Sequence, residues 1–155
     1  IAQSWSIISE AGDNEKKYIA LESAKKYLID EENKIIKLLS PPFKDDDLDP
    51  GYIKRYPAGV RENGGQYTHA SVWLAKAYFE MNEYKKGEEI LEMILPISHS
   101  DTKEKADVYM VEPYVVAADI YSNEEHPGRG GWTWYTGSSG WMYKVIEDYL
   151  ADNKK

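Results

Sequence analysis

An all-α fold, built from helical hairpins repeated around an axis, is what this sequence predicts, and three observations carry the prediction. Ala70, Trp73, Leu74, Ala77 and Met81 fall at i, i+3, i+4, i+7 and i+11, one apolar stripe of helical period. Ile90, Leu91, Ile94 and Leu95 form a second inward-facing set soon after Asn82-Glu83-Tyr84, so a partner helix follows. Trp5, Trp73 and Trp141 each stand in the first turns of a helical stretch, and successive tryptophans are 68 residues apart. Recurrence at a fixed interval marks structurally similar helices, here each entered from a loop.

Taken in order, residues 2–10 read as a short helix stopped by Ala11-Gly12. A longer helix follows with Asp13 or Asn14 as N-cap and Ile19, Leu21, Ala24, Tyr27 and Leu28 near its stripe. Residues 33–43 (NKIIKLLSPPF) are too short and too proline-bounded for another long helix and read as extended. Residues 44–65 make a long loop with an acidic run, DDDLD, at 45–49; loops of that length in a compact domain tend to be functional. After the two helices described above, Pro96 closes the second, and residues 96–110 read as irregular with a helical turn at 101–106. Residues 111–121 (VEPYVVAADIY) read as strand or helix, which periodicity does not decide. A last helix over 137–151 puts Met142, Val145, Ile146 and Tyr149 on one face.

The chain has 155 residues, a length that suits a single unit or a piece of a larger domain, and 42% hydrophobic residues suffice for a core. Five Trp and thirteen Tyr against two Phe favour rings with a polar edge, which stack on sugars as well as pack. A net charge of −8 and a pI near 4.9 argue against nucleic acid as a partner. The absence of cysteine excludes disulfides and thiolate metal sites. Neither a run of about 20 apolar residues nor a signal peptide is present, so no direct membrane contact is expected. Starting at Ile1, already in a helical pattern, the chain reads as a fragment of something larger.

Two glycine-rich stretches stand directly before helices. In VRENGGQYTHASVW (60–73), Gly64 and Gly65 permit unusual backbone angles and close approach, Arg61 offers an always-charged donor fork, and His69 lies in the first helical turn. An anion held by a helix N-terminus, a histidine and an arginine is physically sound, although such a histidine is commonly a cap or a core hydrogen-bonder. In GRGGWTWYTGSSGW (128–141), Thr136 and Gly137 open the last helix, as an ordinary N-cap or as hydroxyl and amides for an anion, with Arg129 nearby or simply solvated. Trp132, Trp134 and Tyr135 read as sugar platforms or core, with core expected for each ring alone. Glycosidic chemistry needs a general acid and usually a second carboxylate. Glu62, Glu112 and Asp119 stand outside charge runs, but no spacing pairs them, and each reads as a structural hydrogen-bonder. DDDLD lacks the spacing and glycine of a calcium loop and reads as solvated. The residues alone support an anion or sugar site.

At GYIKRYPAGVRENGGQYTHASVW, VEPYVVAADIY and GRGGWTWYTGSSGWMY the sequence resembles glycoside hydrolase family 94, the inverting glycoside phosphorylases, and within it the C-terminal part of cyclic β-1,2-glucan synthases. The resemblance implies an (α/α)6 barrel of which residues 1–155 form roughly the C-terminal half. It implies phosphorolysis of a β-linked glucan, phosphate attacking the anomeric carbon with inversion to give α-glucose 1-phosphate, with inorganic phosphate as co-substrate and no cofactor or metal. His69, Thr136 and Gly137 match the family's phosphate-binding residues, and Tyr56 and Arg61 match those lining the acceptor sugar, where other members carry Lys at the position of Arg61. The family's general-acid aspartate lies in a motif upstream of residue 1, so no catalytic residue is expected here and the chain alone is expected to be inactive. Cytoplasmic placement, with the parent part of an inner-membrane glucan synthase, is implied likewise. A half-barrel exposes a large apolar face, so self-association is a further expectation. Two other readings stand beside this one. Residues 72–96 also resemble a tetratricopeptide unit, hence a helical-repeat interaction scaffold, which requires recurrence near every 34 residues. A non-catalytic sugar-binding module fits the aromatics but not the phosphate motifs.

Overall fold

The computed structural model describes residues 1–44, 49–134 and 136–151, leaving out the side chain of Thr136. The acidic run at 45–48 and Tyr135 lie outside the described residues. Helix α1, Ala2–Ile8, leads into α2, Asn14–Leu28, whose N-cap is Asp13: its carboxylate accepts the Lys16 N–H at 2.9 Å. Lys25 and Lys26 in the last turn of α2 complement the helix dipole. Leu21 and Ala24 are buried and Leu28 packs on the core, but Ile19 and Tyr27 are exposed. At 100° per residue Ile19 points nearly opposite Leu21, and Tyr27 falls on the flank. The segment read as extended supplies Ile35–Ile36 (β2), which pairs antiparallel with Ile29–Asp30 (β1) at the end of α2.

Helix α3, Thr68–Glu80, is the centre of the fold. The sequence stripe accounts for Ala70, Leu74 and Ala77, but Val72, Ala75, Tyr78 and Phe79 are buried too, so α3 is covered on several faces. Full burial of each large apolar side chain contributes roughly 1.5–3 kcal/mol. Helix α1 packs on one flank of α3, α6 (Thr136–Ile146) on another, and α4 (Tyr84–Ile94) folds back against it. Gly87 sets the close approach of α4, since a Cβ there would stand 2.7 Å from Phe79 Cε1. Ile90, Leu91 and Ile94 bury as the stripe predicts.

The turn expected at 101–106 is a full helix, α5 (Lys103–Tyr109), because Thr102 caps it by accepting the Lys105 N–H. Helix α6 runs parallel to α3. Trp73 meets Trp141 near the helix starts (centroids 5.9 Å) and Phe79 stacks on Tyr149 near the ends (4.9 Å, 8°). The recurring tryptophans therefore become one cluster, with Trp5 lying 5.2 Å from Trp73 and 6.4 Å from Trp141, each edge-on. Residues 147–151 continue α6 as a wider π turn.

The fold is mostly helical, and beside the β1–β2 hairpin the described residues hold a second two-stranded sheet that the all-α expectation omitted. Gln66–Tyr67 (β3) pairs antiparallel with Asp119–Ile120 (β4), which resolves the ambiguous 111–121 stretch into irregular chain ending in a strand. Isolated bridges Lys37↔Gln66 and Ile120↔Gly130 extend this ladder on both sides. No described helix is long and apolar enough to cross a membrane.

Candidate phosphate and sugar site

The first glycine-rich loop is organised by a buried amide. Asn63 donates through Nδ2 to the Tyr56 and Phe43 carbonyls (2.8 and 3.0 Å) and accepts the Phe43 N–H at 2.8 Å. Gly64 sits at φ +91, where a Cβ would strike Pro42 at 2.8 Å, so only glycine lets the chain pass. Gln66, wholly buried, accepts the Ile36 N–H at 3.0 Å and donates to Thr68 Oγ1 at 3.3 Å. These bonds satisfy polar groups whose burial would otherwise be costly, and they fix the entry to α3.

The second loop is joined to the first through β4. The Thr68 N–H donates to the Ala118 carbonyl (2.9 Å), and the Ala118 N–H donates to the Trp132 carbonyl (2.6 Å). Asp119, fully buried, accepts the Trp132 N–H through Oδ1 at 3.0 Å, while Gly131 lies so close that a Cβ would stand 2.3 Å from Oδ2. Two strand spacings, about 10 Å, therefore separate β3 from the 130–132 segment.

His69 and Gly137 meet. A Cβ on Gly137 would stand 3.3 Å from His69 Cε1 and 3.5 Å from Nδ1, so the imidazole lies against the start of α6, 68 residues away in sequence. The ring is walled by Trp73 (4.5 Å), Trp141 (6.3 Å) and Tyr67, stacked at 6.5 Å. Burial lowers the His69 pKa, which favours the neutral imidazole at pH 7. Its Nε2, the Trp73 indole Nε1 and the Ser138 hydroxyl are buried without a protein partner. Three orphaned polar atoms around the N-terminus of α6 are chemically suited to an anion. Thr136 opens α6 and brings its backbone to the same place.

Arg61 and Tyr56 meet as well. The Arg61 guanidinium lies over the Tyr56 ring (5.4 Å) and the Trp132 ring (5.1 Å), and its Nε stands 3.4 Å from Glu62 Oε2. Burial holds the Asp119 carboxyl above the usual carboxylate range, with the Trp132 N–H bond and Arg61 opposing and Glu62 adding. The core expectation for Trp132 and Trp134 is corrected: they are 56% and 67% exposed. Gly131 seats the chain on Asp119 and turns Trp132 toward Arg61, while the Trp134 indole N–H donates to Glu112 at 3.0 Å. Arg129 joins the ladder through its carbonyl, which accepts the Tyr121 N–H. Among the described residues no group of three or more His, Asp or Glu side chains is arranged to hold a metal.

Sequence comparison supplies the family for this geometry. Residues 1–151 match the model of the glycosyl hydrolase 94 superfamily catalytic domain. The chain belongs to glycoside hydrolase family 94. This family 94 chain is 47% identical over its whole length to the cyclic beta-(1,2)-glucan synthase NdvB of Rhizobium meliloti (strain 1021), of which it covers 6%. Over 74% of its length it is 27% identical to the N,N'-diacetylchitobiose phosphorylase of Vibrio proteolyticus, covering 14% of that protein. Over 96% it is 23% identical to the solabiose phosphorylase of Paenibacillus borealis, covering 19%. It thus spans less than a fifth of each of these relatives. Of the residues the sequence singled out, His69, Thr136, Gly137, Tyr56 and Arg61, the structure brings His69 against Gly137 and Arg61 over Tyr56. The sequence expected Trp132 in the core, and only the alternation of small residues with aromatics at 131–134 hinted at its exposure.

Proposed function

We propose that this chain supplies the phosphate-binding and acceptor-side parts of a phosphorylase-type catalytic domain that acts on a β-linked glucan, with β-1,2-glucan favoured by the likeness to a β-1,2-glucan synthase. The observation that carries it is the contact of His69 with Gly137 at the start of α6, where unsatisfied polar atoms collect. His69, Thr136 and Gly137 hold inorganic phosphate, the co-substrate. Tyr56 and Arg61 line the acceptor sugar. Phosphate is already an anionic nucleophile, so its attack on the anomeric carbon needs no base, and helix amides serve to orient it and to place its charge. The proton for the leaving oxygen comes from an acid outside these residues. Parallel α3 and α6, with α4 returning against α3, suit the inner and outer helices of an (α/α)6 barrel.

The tetratricopeptide-like reading has only the α3–α4 hairpin in its favour, while the family match runs through both glycine-rich loops. Calorimetry with inorganic phosphate on this chain and on His69→Ala tests the proposal. Saturable binding that the variant loses is expected; binding unchanged by the substitution refutes the assignment of His69.

A further inference from the structure

The structure assigns Trp132 as the aromatic floor of a sugar subsite on the acceptor side, an inference that rests on the phosphorylase reading above. Trp132 is 56% exposed, so a ligand stacked on its indole removes apolar surface from water. Trp132 is also not a loose surface ring. Its N–H is held by the Asp119 carboxylate, its carbonyl by the Ala118 N–H, and its ring lies against the Arg61 guanidinium at 5.1 Å. A rigid ring of that kind is pre-organised, so a ligand stacking on it loses little side-chain entropy to the contact. The chemistry beside it is that of a pyranose: an apolar face for the C–H side of the ring, and charged groups, Arg61 and Glu62, for the hydroxyl rim. The ladder from Thr68 through Ala118 to Trp132 puts the Trp132 backbone about 10 Å across the sheet from the lead into His69. The same geometry explains Gly131: any side chain there would lift the segment off Asp119 and move the indole.

The ligand class is a β-linked gluco-oligosaccharide, and the probe is a linear β-1,2-linked glucotriose titrated into this chain, with inorganic phosphate titrated separately. Wild type is expected to bind the trisaccharide, Trp132→Ala to bind it about tenfold more weakly, and Trp132→Phe to keep most of the affinity. Tyr27→Ala, on the outer flank of α2, is expected to match wild type. Phosphate affinity is expected to be equal in all four. The indole N–H resonance missing from the Trp132→Phe spectrum is expected to shift when trisaccharide is added to wild type, which separates contact from an indirect effect on Arg61. Unchanged trisaccharide affinity in Trp132→Ala, a resonance that does not move, or no trisaccharide binding by wild type overturns the assignment. Trisaccharide binding without phosphate binding would leave the floor standing and sink the phosphate site.

Discussion

Replacing Gly137 by alanine separates stability from binding at one atom. Gly137 is the second residue of α6, and its Cβ would stand 3.3 Å from His69 Cε1 and 3.5 Å from Nδ1. Carbon contacts settle at about 3.5–4.0 Å, so the imidazole must retreat by a few tenths of an ångström. The backbone is helical, and alanine is favoured over glycine in a helix by up to about 1 kcal/mol. The variant is therefore expected to be as stable as wild type or slightly more so. A hydrogen bond to a charged group contributes about 1.5–3 kcal/mol, so a displaced His69 that keeps part of it weakens phosphate binding roughly three- to tenfold. Gly140 is the internal control. It lies in the same helix with nothing within 4 Å of a built Cβ, so Gly140→Ala gains helix stability and leaves phosphate binding alone. Urea unfolding and phosphate calorimetry on the two variants decide the matter. Equal phosphate affinity in Gly137→Ala and wild type, or equal losses in both variants, refutes the reasoning.

Three further outcomes follow from the same geometry. Because burial lowers the His69 pKa, its contribution to stability is present above the unfolded value of 6.5 and is lost as pH falls through that value toward the folded one. Its NMR titration midpoint is expected below 6.5 and is expected to rise on adding phosphate; a midpoint that saturating phosphate leaves unmoved removes His69 from the site. Asp119 has the opposite sign: its folded pKa is raised, so its contribution is present below the unfolded carboxylate value and lost as pH rises through the folded one. Asp119→Asn is expected to gain stability relative to wild type across that window, measured by urea unfolding from pH 4 to 7, and a flat difference counts against the burial argument. Tyr149 donates to Glu80 at 2.6 Å and accepts from Lys76 at 2.8 Å while stacking on Phe79. Tyr149→Phe keeps the stack and is expected to cost about 1–2 kcal/mol in urea unfolding, and Tyr149→Ala more; a phenylalanine variant as stable as wild type shows that the network adds nothing.

The sequence by itself determined what depends on neighbours within a turn or two. Asp13 as a cap, the α3 and α4 stripes and Pro96 at the end of α4 are local, because capping and helical period act over three to seven residues. The 68-residue recurrence of tryptophan was also legible, and it proved to be a cluster in space. The two glycine-rich stretches and their histidine, threonine and arginine could be named because glycine before a helix has few other uses. Tertiary structure alone decided what meets what. Ala118 and Asp119 look like any apolar–acid pair in sequence, yet their backbone and carboxylate tie together loops more than sixty residues apart. That tie also settled Trp132. Whether an indole is core or surface depends on which face of a backbone ladder it leaves, and the ladder's partners lie far along the chain. The aromatic pattern said only that rings were present; the buried carboxylate under Gly131 decided that one of them faces outward, beside Arg61.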